Sequence, residues 1–162
     1  MWPELKAALA VAVGLLTLAA SDALIWGHIF EAQHMNHIAS LDRVYHVGYL
    51  AVLAGLIGVG MVALWSWWSL WYAAALGTLA QSGLEDVLYY WLDRRPLPTA
   101  LPWLDAQHPL IPFHPVTSDG LVLSVCLWLG FWAVTLMVLA WWRSVRVRQV
   151  PAQDRPDSRY AA

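Results

Sequence analysis

The length of the uncharged runs constrains this chain more than any other feature. A helix needs about 20 mostly apolar residues to cross the roughly 30 Å hydrocarbon core of a bilayer. Ala7–Gly27 reaches that length with one interruption, Asp22, and Gly120–Trp142 is a run of 23 residues without a charge. Val47–Leu84 holds 38 uncharged residues, which as a single helix would extend about 57 Å. That run must fold back on itself, so the sequence predicts four transmembrane helices.

The predicted fold is an all-α, integral membrane, four-transmembrane-helix bundle. The turn between helices 2 and 3 is expected at Trp65–Ser69, where aromatic rings can lie at the headgroup level. Helix 3 is expected to continue through Glu85 and Asp86 to about Leu92. These boundaries place residues 1–150 in one transmembrane domain.

The segment between helices 3 and 4, Asp93–Thr117, differs from the rest of the chain. Its many prolines exclude a regular helix. Its leucines and aromatic residues make it too apolar for a solvated linker. We predict that it lies over the end of the bundle as a Pro-rich capping loop. Residues 151–162 are polar and are expected to form a flexible C-terminal tail.

Composition excludes several classes of protein. Hydrophobic residues make up 60% of the chain and charged residues 12%, whereas soluble domains average nearer a quarter charged. A net charge of -2 argues against a nucleic-acid partner. The single cysteine, Cys126, excludes an intramolecular disulfide, a Cys-rich zinc module and a Cys-ligated iron–sulfur cluster. The twelve tryptophans are typical of residues that anchor a protein at the bilayer edge.

Four spans would place both termini on the same side of the membrane. Lys6 and the basic residues that follow the last span favour a cytoplasmic location for that side, and three arginines on the other side oppose it. We interpret the first apolar run as a retained helix rather than a removed secretory signal. The expected location is the cell inner membrane, with both termini cytoplasmic. The arginines that follow the last span are Arg143, Arg146 and Arg148, and those on the other side are Arg43, Arg94 and Arg95.

This topology gathers most ionisable side chains at the end of the bundle away from the termini, which we call the polar end. All six histidines and eight of the eleven acids fall there, whereas the turn at Trp65–Ser69 carries no ionisable group. Solubility alone would require polar groups at both ends. We therefore predict a functional site at the polar end. The histidines and acids of the polar end are His28, His34, His37, His46, His108, His114, Asp22, Glu31, Asp42, Glu85, Asp86, Asp93, Asp105 and Asp119.

Three of these acids are predicted to lie within the membrane. Glu85 and Asp86 precede the expected end of helix 3 by about two turns, and Asp22 lies about 15 residues along the first span. Ionisable residues in hydrocarbon usually face the bundle interior and bind a partner. The expected partners are His28 and His46, together with Arg43 or Arg94.

The histidine and carboxylate spacings favour a metal site. Glu31 and His34 form a Glu-x-x-His pair, which shares one helix face and is typical of half of a di-iron or di-manganese centre in a bundle. Only one such pair occurs, so the pattern is incomplete. Donors of this kind without thiolate suit iron, manganese or zinc. Iron is the expected metal, with zinc, manganese or copper as alternatives. The predicted metal ligands are His28, Glu31, His34, His46, Glu85 and His114.

The favoured function is a membrane-embedded, metal-dependent enzyme that acts on a lipid-soluble substrate at the non-cytoplasmic side. An iron-type oxidoreductase is preferred to a zinc hydrolase, in which the metal would activate water. Asp86, Tyr89 and Asp22 are the candidates for proton transfer. The expected partners are the lipid bilayer, a hydrophobic small molecule and other membrane subunits.

Other functions remain open on the sequence. Buried Glu85 and Asp86 could protonate a double bond in a metal-free isoprenoid or lipid isomerase or cyclase. A non-enzymatic haem- or pigment-binding subunit would use His28 and His46 as axial ligands, and a transporter ranks last because the acids do not form a full pathway. Glu85 and Asp86 could also serve only to hold helices together. His37 and His108 best fit ordinary loop histidines.

Overall fold

The computed structural model describes the backbone of residues 2–27 and 39–149, and their side chains except at 26–27, 39–42, 106–107 and 147–149. Every element in this part of the chain is helical, and the nearest approach to a strand is an isolated antiparallel bridge between Ala100 and Thr117. The all-α prediction is thus confirmed for these residues. The helices are α1 Pro3–Ser21, α2 Ala39–Leu64, α3 Trp68–Gln81, α4 Leu84–Leu92, α5 Leu104–Gln107 and α6 Ser118–Gln149, and a π-helical segment, Asp22–Gly27, continues α1.

The main core forms where α1 and α3 pack against each other. Buried side chains recur on each helix at intervals of three or four residues, which places them on one face. The α1 face also holds the small residue Gly14, which allows Leu76 of α3 to approach. The buried residues are Ala7, Val11, Leu15 and Leu18 of α1 and Trp68, Trp71, Tyr72, Ala75, Leu76 and Leu79 of α3.

The second contact of α3 is with α2, through the ring of Tyr72. A Cβ atom at Gly60 would collide with that ring, so glycine is what allows the two helices to come this close. The Tyr72 hydroxyl donates a hydrogen bond of 2.8 Å to the Leu56 carbonyl. Such small-residue contacts and polar bonds are common where helices meet in a membrane.

Polar bonds also connect the last helix, α6, to α3. The indole N–H of Trp132 donates to Thr78 Oγ1 at 2.6 Å, and that of Trp71 donates to Thr135 Oγ1 at 3.2 Å. Nearer the polar end, Ser124 Oγ donates to the Ser82 carbonyl at 3.1 Å. These bonds fix α6 beside the junction of α3 and α4.

The predicted third helix is corrected by the structure, because it is broken into α3 and α4. Gly83 lies between them with φ of 89°, a left-handed conformation that glycine adopts without a Cβ penalty. The side chain of Leu121 occupies the space a Cβ at Gly83 would need. The break turns the first residues of α4, including Glu85, into the bundle.

The segment predicted as a cap packs on the end of the bundle, and we call Asp93–Thr117 the cap. Its buried residues form a second core with Val87 and Tyr90 of α4. The Trp128 indole of α6 donates to the Leu110 carbonyl at 2.9 Å. Thr117 then begins α6, since its hydroxyl accepts a bond from the Gly120 N–H at 3.2 Å. The cap residues in this core are Leu101, Leu104, Ile111 and Val116.

Among the described residues, three helices are long and apolar enough to cross a membrane. They cover Pro3–Ile25, Arg43–Leu64 and Ser118–Arg146, which are 23, 22 and 29 residues long. A helix of 22 residues extends about 33 Å, close to the thickness of the hydrocarbon core. Many of their outward side chains are large and apolar, such as Val59, which is 71% exposed, and Met137, which is 62% exposed. The structure therefore suggests a membrane protein.

The beginning of α1 and the end of α6 meet at the end of the bundle opposite the cap. There Arg143 donates to Glu4 Oε1 at 2.9 Å. The turn between α2 and α3 is where the sequence predicted it, since α2 ends at Leu64 and Trp65 has a positive φ of 30°. The helices thus alternate in direction between these two ends.

Candidate functional site

A cavity of about 190 Å³ lies at the polar end, between α2, the junction of α3 and α4, and the cap. Each wall comes from a different stretch of sequence, and the helix that follows the break at Gly83 contributes Glu85 and Asp86. Its apolar wall includes Leu50 and Leu104. Its polar and aromatic lining is formed by Tyr45, His46, Tyr49, Glu85, Asp86 and His108.

Three carboxyl groups meet beside this cavity. Glu85, in the first turn of α4, is only 3% exposed. Asp22, the first residue of the π-helical segment, forms hydrogen bonds with the Tyr45 hydroxyl and with the Glu85 carboxyl. Asp86 follows Glu85 and lines the cavity. A direct bond between two carboxyl groups requires a proton on one of them, so the three cannot all be ionised in this arrangement.

Several buried polar atoms around the cavity have no hydrogen-bond partner among the described residues. Each of the three carboxyl groups has one such oxygen, and a phenol and an imidazole each add one atom. Buried polar groups are almost always satisfied, so a cluster of exceptions on one cavity needs an explanation. The atoms are Asp22 Oδ1, Tyr49 Oη, Glu85 Oε1, Asp86 Oδ2 and His108 Nδ1.

The arginine–carboxylate ion pairs found in the described ranges do not involve these three acids. Arg95 Nε lies 2.8 Å from Asp93 Oδ2 beyond the end of α4. Arg143 pairs with Glu4 at the opposite end of the bundle. The predicted arginine partners, Arg43 and Arg94, have exposed side chains. Within the described residues, the structure therefore joins Asp22 to a tyrosine and a second acid rather than to an arginine.

His108 projects from the cap into the cavity wall. One of its ring nitrogens bonds to the backbone carbonyl of Gln81, the last residue of α3, and Nδ1 is the buried, unpartnered atom. Burial and the nearby His46 hold the pKa of His108 below its ordinary value of 6.5. The ring is therefore neutral at pH 7 and has an acceptor nitrogen to offer.

The six predicted metal ligands fall into three groups. His46 and Glu85 line the cavity. His114 lies on the exposed part of the cap, where its Nδ1 is 2.9 Å from Asp105 Oδ1, so the structure does not bring it to the cavity. His28, Glu31 and His34 lie outside the described residues. Across the described ranges, no three His, Cys, Asp or Glu side chains are arranged to hold a metal ion together.

Of the three residues predicted for proton transfer, two lie at the cavity and one does not. Asp86 lines the cavity, and Asp22 reaches it through its bond to Glu85. Tyr89 is half-buried and packs edge-on against Tyr90, with ring centroids 5.2 Å apart. Asp22 and Asp86 thus belong to the same cluster, and Tyr89 lies outside the cavity lining.

Sequence reasoning missed the role of two residues in this site. Tyr45 is the hydrogen-bond partner of Asp22, and the sequence offered no signal for it because the two residues are far apart along the chain. By its sequence alone, His108 fits an ordinary loop histidine. Its spacing within the cap gave no hint that it would reach Gln81, and only the packing of the cap places it there.

Comparison with known proteins adds nothing to this picture, since no family model, curated protein or solved structure matches the chain.

Proposed function

We propose that this chain is a membrane-embedded, metal-dependent enzyme that acts on a lipid-soluble substrate at the polar end of a four-span bundle. Three spans are the long apolar helices. The fourth consists of α3 and α4 together, since Trp68–Leu92 extends about 37 Å if its helical rise is kept across the break. The arginines after the last span favour the inner membrane, with cytoplasmic termini and a polar end on the non-cytoplasmic side.

The observation that carries this proposal is the buried carboxyl of Glu85, which lines a cavity and has an unpartnered oxygen. Asp22 and Asp86 surround it with further unpartnered carboxyl oxygens. Burying a carboxylate without a counter-charge is costly, so such groups are neutralised by a proton or by a cation. A bound metal ion would supply the counter-charge that Glu85 lacks.

The donors at the cavity indicate which metals are suitable. Carboxylate and imidazole ligands without thiolate suit iron, manganese or zinc. Glu85 and His46 are the candidate ligands in the described part. The predicted pair Glu31 and His34 precedes α2, the helix that carries His46. We favour iron and an oxidoreductase, because carboxylate-rich metal sites inside helix bundles are typical of di-iron chemistry.

The surroundings of the cavity favour a lipid-soluble substrate. Tyr45 and Tyr49 provide aromatic walls. Leu50, at the edge of the cavity, is 56% exposed on the outer surface of α2. A hydrophobic molecule could enter from the bilayer beside this residue. Asp86 is then the candidate for proton transfer, since it lines the same cavity.

The test is elemental analysis and an absorption spectrum of the full chain, purified gently and reconstituted in lipid. We expect stoichiometric iron, manganese or zinc, and loss of most of that metal in Glu85→Gln. Glu4→Gln is the matched control, because it makes the same chemical change at the opposite end, where Glu4 pairs with Arg143. Equal metal content in the wild type and Glu85→Gln would show that the metal site is elsewhere.

One observation favours a second candidate, a metal-free isomerase or cyclase that protonates a double bond. The hydrogen bond between Asp22 and Glu85 requires a shared proton, and such a proton could be delivered to an isoprenoid or other unsaturated lipid. The same measurement separates the candidates. A folded wild-type protein without metal would leave the acid-catalysed reaction ahead, and a haem absorption band would instead favour the pigment-binding subunit.

A further inference from the structure

We infer that His108, carried by the cap, is a further ligand of the cation at this site and binds it through Nδ1. This inference deepens the proposed function and rests on it. His108 is separated from Glu85 by 23 positions along the chain, and the two residues line the same cavity only because the cap folds back over the junction of α3 and α4.

The first step of the argument concerns the Gln81 carbonyl. The last carbonyl groups of a helix have no partner within that helix. Gln81 ends α3 because the chain turns at Ser82 and Gly83. Its carbonyl accepts a hydrogen bond from the His108 ring. The helix break therefore supplies an acceptor at the place where the cap crosses it.

The second step concerns the proton of the imidazole ring. A neutral histidine has one N–H donor and one acceptor nitrogen, and the bond made by the donor decides which nitrogen has the free lone pair. The bond to Gln81 fixes the proton on that side of the ring, so Nδ1 carries the lone pair. Histidines that bind metals are oriented in the same way, by donating their other N–H to a carbonyl or carboxylate.

The third step is the position of that lone pair. Nδ1 of His108 is buried and unpartnered, as is Oε1 of Glu85, and both residues line the same cavity. Both atoms are acceptors, so they cannot satisfy each other without a shared proton or cation. An ordinary loop histidine would direct its free nitrogen to water or to a donor.

The cap holds His108 in this place independently of any cation. Leu104, one turn earlier, is buried in the second core. Asp105 Oδ1 accepts a hydrogen bond of 2.9 Å from the Val116 N–H and lies 2.9 Å from His114 Nδ1, and these contacts fix the fold of the cap around α5. His108 is thus presented on a packed segment, which reduces the entropy lost when a ligand binds.

The experiment is a titration of the reconstituted full chain with Co²⁺, followed by its visible absorption bands. We expect His108→Ala to weaken Co²⁺ binding by about tenfold or more, since even supporting residues of metal sites cost that much. Glu4→Gln is the control and should leave binding unchanged, because Glu4 pairs with Arg143 at the opposite end of the bundle.

A second measurement separates a ligand from a residue that only anchors the cap. Pulsed electron paramagnetic resonance of the Cu²⁺-loaded protein counts coordinated imidazoles. His108→Asn, whose amide can still donate to the Gln81 carbonyl, should lose one imidazole coupling and keep the circular dichroism of the wild type. Retention of every imidazole coupling in this variant would overturn the inference.

The two proposals fail in different ways. If the wild type binds Co²⁺ tightly and His108→Ala binds it equally well, the inference is wrong while the metal-dependent function stands. If the folded wild type binds neither Co²⁺ nor Cu²⁺, the metal-dependent function is wrong and the inference falls with it.

Discussion

At the scale of single residues, Asp105 shows how one exposed carboxylate organises the cap. Its Oδ1 accepts the N–H of Val116 and lies 2.9 Å from His114 Nδ1. The His114 and Val116 bonds hold the pKa of Asp105 below its ordinary value of 3.8. Because the folded-state pKa of Asp105 is depressed, these bonds stabilise the folded cap fully above pH 3.8. That stabilisation is lost as the pH falls through the lower folded-state pKa.

This predicts an acid-induced change in the cap. We expect the fluorescence of the wild type, which includes cap residue Trp103, to change below about pH 4. Asp105→Asn should already differ from the wild type at pH 7 and should lack the acid step. Asp119→Asn removes another exposed carboxyl and should keep that step. Fluorescence of the wild type that stays constant from neutral to strongly acidic pH would contradict the prediction.

The site residues illustrate which parts of a buried cluster a sequence can reveal. Glu85 and Asp86 are conspicuous because charges inside an apolar run are rare, and their place at a cavity agrees with that expectation. Their partners were harder to predict. Asp22 bonds to Tyr45 and Glu85, and hydrogen bonds between distant segments have no spacing rule.

At the scale of elements, the break between α3 and α4 determines where the site lies. Gly83 adopts a left-handed conformation, and its missing Cβ leaves room for Leu121 of α6. The sequence could not reveal this break, because one glycine in an apolar run is equally compatible with a continuous helix. The need for a turn near Trp65 was predictable, since the uncharged run is too long for one span.

We therefore predict that Gly83→Ala destabilises the protein. A non-glycine residue in a sparsely populated conformation costs about 1–3 kcal/mol, and the collision with Leu121 adds to that cost. The measurement is the free energy of unfolding in mixed detergent micelles. We also expect weaker Co²⁺ binding, because straightening the helix would move both Gln81 and Glu85.

Gly77→Ala is the matched control for this substitution. Gly77 lies within α3, and an added Cβ would meet only Ile57 Cδ1 at an ordinary distance of 4.0 Å. Alanine is favoured over glycine inside a helix, so this variant should be as stable as the wild type or slightly more stable. If the two variants were equally stable, the special role given to Gly83 would be wrong.

At the scale of the whole molecule, the alternating helices place the α2–α3 turn and the cap at opposite ends. The proposed four-span arrangement would place these ends on opposite sides of the membrane. We predict that Ser66→Cys and Thr99→Cys, each introduced after Cys126→Ser, react with a membrane-impermeant maleimide from opposite faces. Both positions are exposed. The measurement compares labelling in inside-out and right-side-out vesicles.

Two controls make that measurement decisive. The Cys126→Ser background should not react in either orientation, and solubilised protein should react at both introduced positions. Labelling of both positions from the same face would contradict the four-span arrangement. Reaction of Ser66→Cys from the cytoplasmic face would also support the proposed orientation.

The sequence by itself determined the helical class and the position of His46, Glu85, Asp86 and His108 at one end of the bundle. Both follow from local properties, since the length of an apolar run and the position of a charge within it can be counted along the chain. Only the tertiary structure decided which polar groups meet. The bend at Gly83 and the bond from His108 to Gln81 depend on how distant segments pack. Packing depends on side-chain shape in three dimensions, which no periodicity in the sequence records.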